Sequence, residues 1–258
     1  NGLFKSVDGG ANWSAASTGL TAKNVRALAF DPQSPTKLYA GVRGVSAFGG
    51  KDAFLARFHG LDLLSSSVLG GSADEEGWDV AIDVAGRPHL TGWTTSTNFP
   101  ANNTDGLLRA TNSGSVDAFV ALLAADGGGL LQSGYLGGTN ADFGYNLAVD
   151  PDGSTLVVGT TLSPNFPVTP GAFQTAAAAT NETFLVKLPA IQPVLELSRP
   201  SASLVQLSWP AYWSDLKLES SLNNGWSAVT TPPIRTQGKL SVTLGSTTNN
   251  ALFFRLHR

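Results

Sequence analysis

Apolar and polar residues alternate over short stretches of this chain, the period that turns one face of a β-strand inward and the other outward. Asp79–Asp83 and Asn146–Asp150 alternate in this way, meet Gly86 or Pro151-Asp152-Gly153, and then resume as a second run. Two runs bridged by Asp and Gly predict a β-hairpin. Further on, Val205, Leu207 and Trp209 alternate with Leu204, Gln206 and Ser208, which predicts a strand with one buried face.

A longer period lies over this short one. Residues 52–58, 117–123 and 182–188 read DAFLARF, DAFVALL and ETFLVKL, and successive copies begin 65 residues apart. In the first copy Val68-Leu69-Gly70-Gly71, Gly77-Trp78-Asp79-Val80-Ala81-Ile82-Asp83, Leu90-Thr91-Gly92 and Asn98-Phe99-Pro100 follow in order. Tyr135-Leu136-Gly137-Gly138, Gly144 through Asp150, Val157-Val158-Gly159 and Asn165-Phe166-Pro167 answer them in the second. The offset grows to 67 across Ala124–Leu131 and returns to 65 after the Phe-Pro pair, so the length change falls in a Gly-rich turn. The third copy stops after Lys187-Leu188. A unit that recurs at fixed period buries its apolar face by stacking on its neighbours. Four short strands in roughly 45–65 residues match one β-propeller blade. Phe54, Phe119 and Phe184 are expected at equivalent buried positions.

These landmarks resemble the bacterial SBBP repeat, named for a seven-bladed β-propeller, over about 52–188. The resemblance implies a secreted or surface scaffold without assigned catalytic residues. Ser6, Asp8, Gly10 and Trp13 fit the pattern S-x-D-x-G-x-x-W and resemble the Asp-box of bacterial neuraminidase (BNR) repeats. There the Ser and Asp side chains brace a tight hairpin and the Trp packs beneath it. Val25–Asp31 and Lys37–Gly41 are expected to supply two more strands of the same blade. In sialidase-like and sortilin-like propellers this box lies away from the catalytic face, so it speaks for fold and little for function.

Pro189, Pro193 and Pro200 mark a hinge, and the repeat ends there. Strand-like runs follow at Val194–Leu197, Leu204–Trp209, Leu216–Ser220, Trp226–Val229, Leu240–Leu244 and Leu252–Leu256. They suit a small sandwich that resembles fibronectin type III modules. The predicted fold is therefore all-β: a partial β-propeller of about three four-stranded blades, then a small β-sandwich. The predicted divisions are 1–48 for the Asp-box blade, 49–190 for the SBBP-type repeats and 191–258 for the C-terminal module. Closed propellers use roughly four to eight blades, so the chain is expected to be the C-terminal part of a longer protein. Its first blade would then expose an apolar face, including Leu28, Phe30 and Tyr39, and self-associate through that open edge.

Composition narrows the function. Charged residues make up 14% of the chain, well below the usual quarter, and 29 glycines fill turns rather than helices. A net charge of −3 gives no purchase on nucleic acid or an anionic membrane. Cysteine is absent, which removes disulfides, thiolate metal sites and cysteine nucleophiles. No apolar run reaches the length of a membrane span. Asn1 in place of methionine predicts a start after processing or truncation.

The chemistry-bearing residues are sparse. His59, His89 and His257 share no metal-ligand or acid–base spacing. Asp74-Glu75-Glu76, Asp79 and Asp83 could pair for glycoside hydrolysis. However, Asp83 recurs as Asp150 before a turn, as a structural cap would, and Asp74–Glu76 reads as a solvated loop. Asp150-Pro151-Asp152-Gly153-Ser154 opens like a calcium loop but places Leu162 near the position of the closing Glu, so it reads as a hairpin. Trp78 and Tyr145 share one slot and are expected to pack between blades. Trp93 corresponds to Thr160, so the fold does not require its ring, and it is the candidate for stacking on a sugar. No catalytic residue, metal or cofactor is predicted. The expected function is a non-catalytic extracellular or cell-surface scaffold or adhesion module binding protein or polysaccharide. The alternative is the C-terminal fragment of a secreted glycoside hydrolase or lyase whose catalytic residues lie upstream.

Overall fold

The computed structural model describes residues 2–16, 18–20, 24–45, 47–60, 62–102, 107–176, 181–210, 213, 216–222, 225–236, 239–245 and 253–257. The chain divides into two compact units, Asn1–Ile191 and Gln192–Arg258. The described residues form antiparallel sheets and no α-helix.

The first unit opens with a two-stranded hairpin, β1 (Phe4–Lys5) and β2 (Ser14–Ala15). Three sheets follow. The first contains β3 (Asn24–Asp31), β4 (Ser34–Val45), β5 (Asp52–His59) and β6 (Asp62–Leu69) in sequential order. The second contains β7 (Glu75–Ile82), β8 (Pro88–Thr94), β9 (Asp117–Leu123) and β10 (Leu130–Leu136). The third has β11 (Asp142–Val149), β12 (Thr155–Thr161) and β13 (Glu182–Leu188), and among the described residues β13 pairs only with β12.

This frame departs from the sequence divisions in one respect. The repeat opens on DAFLARF, but that strand is the third of its sheet, hydrogen-bonded to β4. Residue 48 therefore falls in the connection between two paired strands of one sheet. The Ser6–Trp13 hairpin, expected to share a blade with Val25–Asp31 and Lys37–Gly41, forms a sheet of its own. Pairing explains why: β3 and β4 already find their partners in β5 and β6, as β7 and β8 find theirs in β9 and β10.

One register runs through all three sheets. Each first strand carries a bulge at the same place, between Val25 and Ala27, Gly77 and Asp79, and Gly144 and Asn146. Beyond it Leu28 pairs with Ala40, Val80 with Leu90 and Leu147 with Val157. Phe54, Phe119 and Phe184 stand opposite Val42, Gly92 and Gly159, and all three are buried as expected.

The register decides what each face touches. Tyr39, Ala53, Leu55 and Leu69 of the first sheet form one core with Val80, Leu90, Phe119, Ala121, Leu123 and Tyr135 of the second. Ala118, Val120 and Leu136, on the opposite face of the second sheet, form another with Val157, Phe184, Val186 and Leu188 of the third. The rings of Phe99 and Phe166, from the repeated Asn-Phe-Pro loops, cover Phe119 at 4.8 Å and Phe184 at 4.6 Å. The first sheet has no such loop, and Leu3, Ala16 and Leu20 of the N-terminal segment cover Phe54 and Phe58 instead. Leu28 and Phe30 are exposed, as expected, but Tyr39 is buried at the first junction, on the other face of the sheet.

The second unit has one sheet of β14 (Glu196–Ser201), β15 (Leu204–Pro210), β19 (Lys239–Gly245) and β18 (Ile234–Thr236). Another holds β17 (Gly225–Ala228), β16 (Lys217–Leu222) and β20 (Phe253–His257). Leu207 and Trp209 are buried and Gln206 and Ser208 less so, as the alternation predicts, and Leu218, Leu240 and Val242 are buried with them. The expected last strand began at Leu252, which lies outside the described residues.

Candidate functional site

The repeat's most regular chemistry sits at its Gly-Gly corners. Asp52 begins β5 and Glu75 begins β7, and both are fully buried. Asp52 Oδ2 accepts the Ala47 and Phe48 N–H groups at 2.6 and 3.2 Å. Glu75 accepts the Gly71 N–H at 2.8 Å and the Thr94 hydroxyl at 2.6 Å. A β-carbon on Gly70 would come within 2.0 Å of Asp52 Oδ1 and 2.6 Å of Glu75 Oε2, so only glycine fits between the carboxylates. The next repeat rebuilds the corner from Asp117, Asp142 and Gly137, with the corresponding approaches at 2.3 and 2.6 Å. Asp142 there accepts the Gly138 N–H and the Ser163 hydroxyl, each at 2.8 Å. Burial raises the pKa of both Asp117 and Asp142, and Asp142 raises that of Asp117 further, against the Ser113 and Gly114 N–H groups that lower it. Through these N–H and hydroxyl bonds the carboxylates brace the corners; no group of three or more His, Asp or Glu that could hold a metal ion is found among the described residues. Their signal was visible in the sequence as acids recurring with the Gly-Gly dipeptide.

A second constellation spans the junction of the second and third sheets. His89 Nδ1 lies 2.7 Å from Thr155 Oγ1, and Nε2 faces Asp83 Oδ2 at 3.6 Å. Arg87 binds the same Asp83 oxygen through Nε and Nη2, each at 2.6 Å. Burial disfavours the Asp83 anion, but His89, the Arg87 N–H and the guanidinium outweigh it and lower the pKa to about 2. Burial keeps His89 neutral by lowering its pKa, despite the nearby carboxylate. The order hydroxyl, imidazole, carboxylate is that of a nucleophile and its base. Here all three side chains are buried and Asp83 is committed to Arg87, so the set works as a polar fastener between sheets. His59 and His257 are exposed elsewhere.

The other predicted acids are engaged too. Glu75 and Glu76, expected in a solvated loop, are buried at the start of β7, which begins four residues before the Asp79–Asp83 alternation. Asp79 Oδ2 accepts the Leu147 N–H at 2.8 Å, across the junction. Asp150 pairs with Lys187 at 2.5 Å, and Asp152 accepts the Ser154 N–H inside the hairpin turn. That turn hydrogen bond is the main cause lowering the pKa of Asp152.

In the N-terminal hairpin, the Ser6 hydroxyl donates to Asp8 and accepts the Gly10 N–H, each at 2.7 Å. Asp8 also accepts the Asn12 N–H at 2.9 Å and the Asn12 amide at 2.7 Å, which hold its pKa down to about 2. Trp13 does not pack beneath the turn as expected. It is 63% exposed, with Nε1 donating to the Gly10 carbonyl at 3.1 Å.

Four partly buried rings gather where β7 and β8 meet β11. Trp78 stacks on Tyr145 at 4.8 Å with planes 11° apart, the packing between sheets expected for this slot. Phe143 lies parallel to both at 6.4 Å. Trp93, the predicted candidate, meets Phe143 edge-on at 6.4 Å. Two of the rings are hydrogen-bonded: Trp78 Nε1 donates to the buried Glu76 at 3.1 Å, and the Thr160 hydroxyl donates to Tyr145 Oη at 3.0 Å. Sequence reasoning singled out Trp93 but missed Phe143, which pairs across the sheet with Thr160, the residue that corresponds to Trp93.

Residues 133–167 match the family model of the SBBP β-propeller repeat. That span runs from β10 through β12 to the second Asn-Phe-Pro loop. No curated protein matches the chain. No helix among the described residues is long and apolar enough to cross a membrane.

Proposed function

We propose that this chain is a non-catalytic extracellular or cell-surface scaffold module that binds polysaccharide, or a protein carrying it, at the ring cluster of Trp78, Trp93, Phe143 and Tyr145. The observation that carries the reading is the cluster itself. Partly exposed rings edged by the hydroxyls of Thr160 and Tyr145 suit a sugar, whose C–H face lies on a ring while its hydroxyls bond at the edge. In the alternative, the C-terminal fragment of a secreted glycoside hydrolase or lyase, the catalytic residues lie upstream; within this chain Glu76, Asp79 and Asp83 are engaged in structural hydrogen bonds. The resemblance of the repeats to secreted bacterial proteins supports the extracellular location.

The test is binding of the whole chain to a panel of neutral and acidic polysaccharides, read by calorimetry. Trp93→Ala is expected to weaken binding at least tenfold with an unchanged thermal midpoint, and Trp93→Phe to restore part of it. Binding to no member of the panel, or equal binding by Trp93→Ala, would sink the proposal.

A further inference from the structure

The first strand of each sheet in the first unit carries one residue more than its partner strand, and the three extra residues share one register position. Arg26 is the residue left over between Val25 and Ala27, Trp78 between Gly77 and Asp79, and Tyr145 between Gly144 and Asn146. A bulge leaves its extra residue outside the ladder and re-aims that side chain. Across the second junction the re-aimed side chains meet, with Trp78 stacked on Tyr145 at 4.8 Å. β7 packs against β3 as β11 packs against β7. Arg26 is thus the next member of the row, one sheet before Trp78, as Trp78 is one sheet before Tyr145.

The charge of Arg26 is free to act outward. Arg57, Arg87 and Arg109 of the same unit are held by the Ala125 carbonyl, the Asp83 carboxylate and the Gly137 carbonyl. Arg26 is exposed and makes no hydrogen bond or ion pair among the described residues. Its strand neighbours favour an anion too. Asn24 holds the register position of Glu76, and Ala27 that of Asp79. The first sheet thus sets uncharged residues beside its cation where the second sets two carboxylates beside its ring. Those two carboxylates are turned onto the protein's own donors: Glu76 accepts Trp78 Nε1, and Asp79 accepts the Val80 and Leu147 N–H groups.

We propose that the polysaccharide bound at the ring cluster is an acidic one, and that Arg26 sets this preference by pairing with a carboxylate of the sugar chain while neighbouring units lie on Trp78 and the rings around it. The planar fork of a guanidinium matches a carboxylate with two parallel N–H donors. In a uronic acid polymer the carboxylate stands at the edge of its sugar ring, so stacking and pairing are supplied by adjacent units of one chain. The row from Arg26 through Trp78 to Tyr145 offers the two contacts in that order. The inference rests on the ring cluster being the ligand site and adds the chemical class of the ligand.

The test is calorimetry of the whole chain with polygalacturonate, alginate and hyaluronate, each as the free acid and as its methyl ester, which keeps the sugar backbone and removes the charge. At least one acid is expected to bind about fivefold tighter than its ester at low salt, the upper worth of an exposed ion pair. The difference is expected to vanish toward about 1 M salt, where the screening length falls to about 3 Å. Arg26→Gln is expected to bring the acid down to the level of its ester. Arg26→Lys is expected to keep part of the difference, since the charge stays and the fork is lost. Trp93→Ala is expected to weaken acid and ester alike, which separates the contribution of the rings from that of the charge. An unchanged thermal midpoint in each variant shows that the fold is kept. Esters bound as tightly as the acids, or an acid preference that survives Arg26→Gln, would overturn this inference and leave the ring cluster as a site for neutral sugars. Binding to neither form of any polymer would overturn the inference together with the reading it rests on.

Discussion

Where the first sheet meets the second, Tyr39 lies at the seam, and its hydroxyl donates to the Gly86 carbonyl at 3.1 Å. Where the second meets the third, the same register position holds His89, bonded to Thr155 and facing Asp83. Ala27 of the first sheet corresponds to Asp79 of the second, and Gly41 to Thr91. One junction is thus largely apolar within, with Arg57, Ser65 and Ser67 bonding the Ala125–Gly127 turn at its rim. The other runs polar groups through its middle. Register sets where the sheets touch, and many side chains can fill the contact once it is set. A buried polar filling stabilises only while every member is satisfied, because an unpaired group loses its water without recompense.

The largest expected separation between the junctions comes from Asp83 and its counterpart in the first sheet, Asp31. Asp83→Ala leaves Arg87 and His89 buried without their carboxylate and is expected to cost about 3–5 kcal/mol in urea unfolding. Asp31 pairs with a half-exposed Lys37 at 3.4 Å, so Asp31→Ala is expected to cost about 1 kcal/mol. Equal costs would show that the polar junction is no more demanding than the apolar one.

Next are the glycine corners, which are alike at both junctions. Gly70→Ala and Gly137→Ala each drive a β-carbon into a buried carboxylate pair. Each is expected to cost about 1–3 kcal/mol, the usual range for overpacking. A neutral result at either corner would mean that its carboxylates can move apart.

Acid should then act on the second junction selectively. The ordinary histidine pKa is 6.5, and that of folded His89 is lower. The unfolded chain therefore takes up the proton first, and stability is full above pH 6.5 and falls as the pH drops below it. The slope cannot exceed about 1.4 kcal/mol per pH unit for one proton. Asp83 adds a further loss below its ordinary 3.8, continuing to about pH 2. Unfolding followed from pH 7.5 to 5 is expected to show the first slope, and His89→Gln to flatten it. A slope unchanged in that variant would place the proton elsewhere.

The smallest effect has the opposite sign. Asp117 and Asp142 have raised pKa values in the fold. Each binds its proton more readily folded than unfolded, so each lowers stability as the pH rises from 3.8 through its folded value. Asp117→Asn keeps an oxygen for the Ser113 and Gly114 N–H groups and removes one of two facing charges. It is expected to stabilise the chain at pH 7, and by less at pH 4. Destabilisation at pH 7 would indicate that the charge itself holds the corner together.

Much of the first unit was legible in the sequence because its signals are local or periodic. The alternation over Asp79–Asp83 and Asn146–Asp150 marked strands, Gly86 and Gly153 marked their turns, and the 65-residue spacing placed Phe54, Phe119 and Phe184 together. Local patterns are read from neighbours along the chain, and a repeat turns one correct local reading into three. The hydrogen bonds of the Ser6–Asn12 loop were legible for the same reason.

Tertiary structure alone decided which sheet each strand joins, since hydrogen-bonding partners across strands leave no mark on the residues that separate them. Hence residue 48 looked like a boundary and lies in the connection between β4 and β5, two paired strands of one sheet. Burial of Glu75, Glu76 and His89 was likewise invisible, because desolvation depends on atoms brought in from distant positions, as Thr155 is brought to His89. The ring cluster shows both sides: Trp93 stood out in the sequence by its departure from the repeat, whereas Phe143 joined it through the packing of β11 against the second sheet, a contact between residues far apart along the chain.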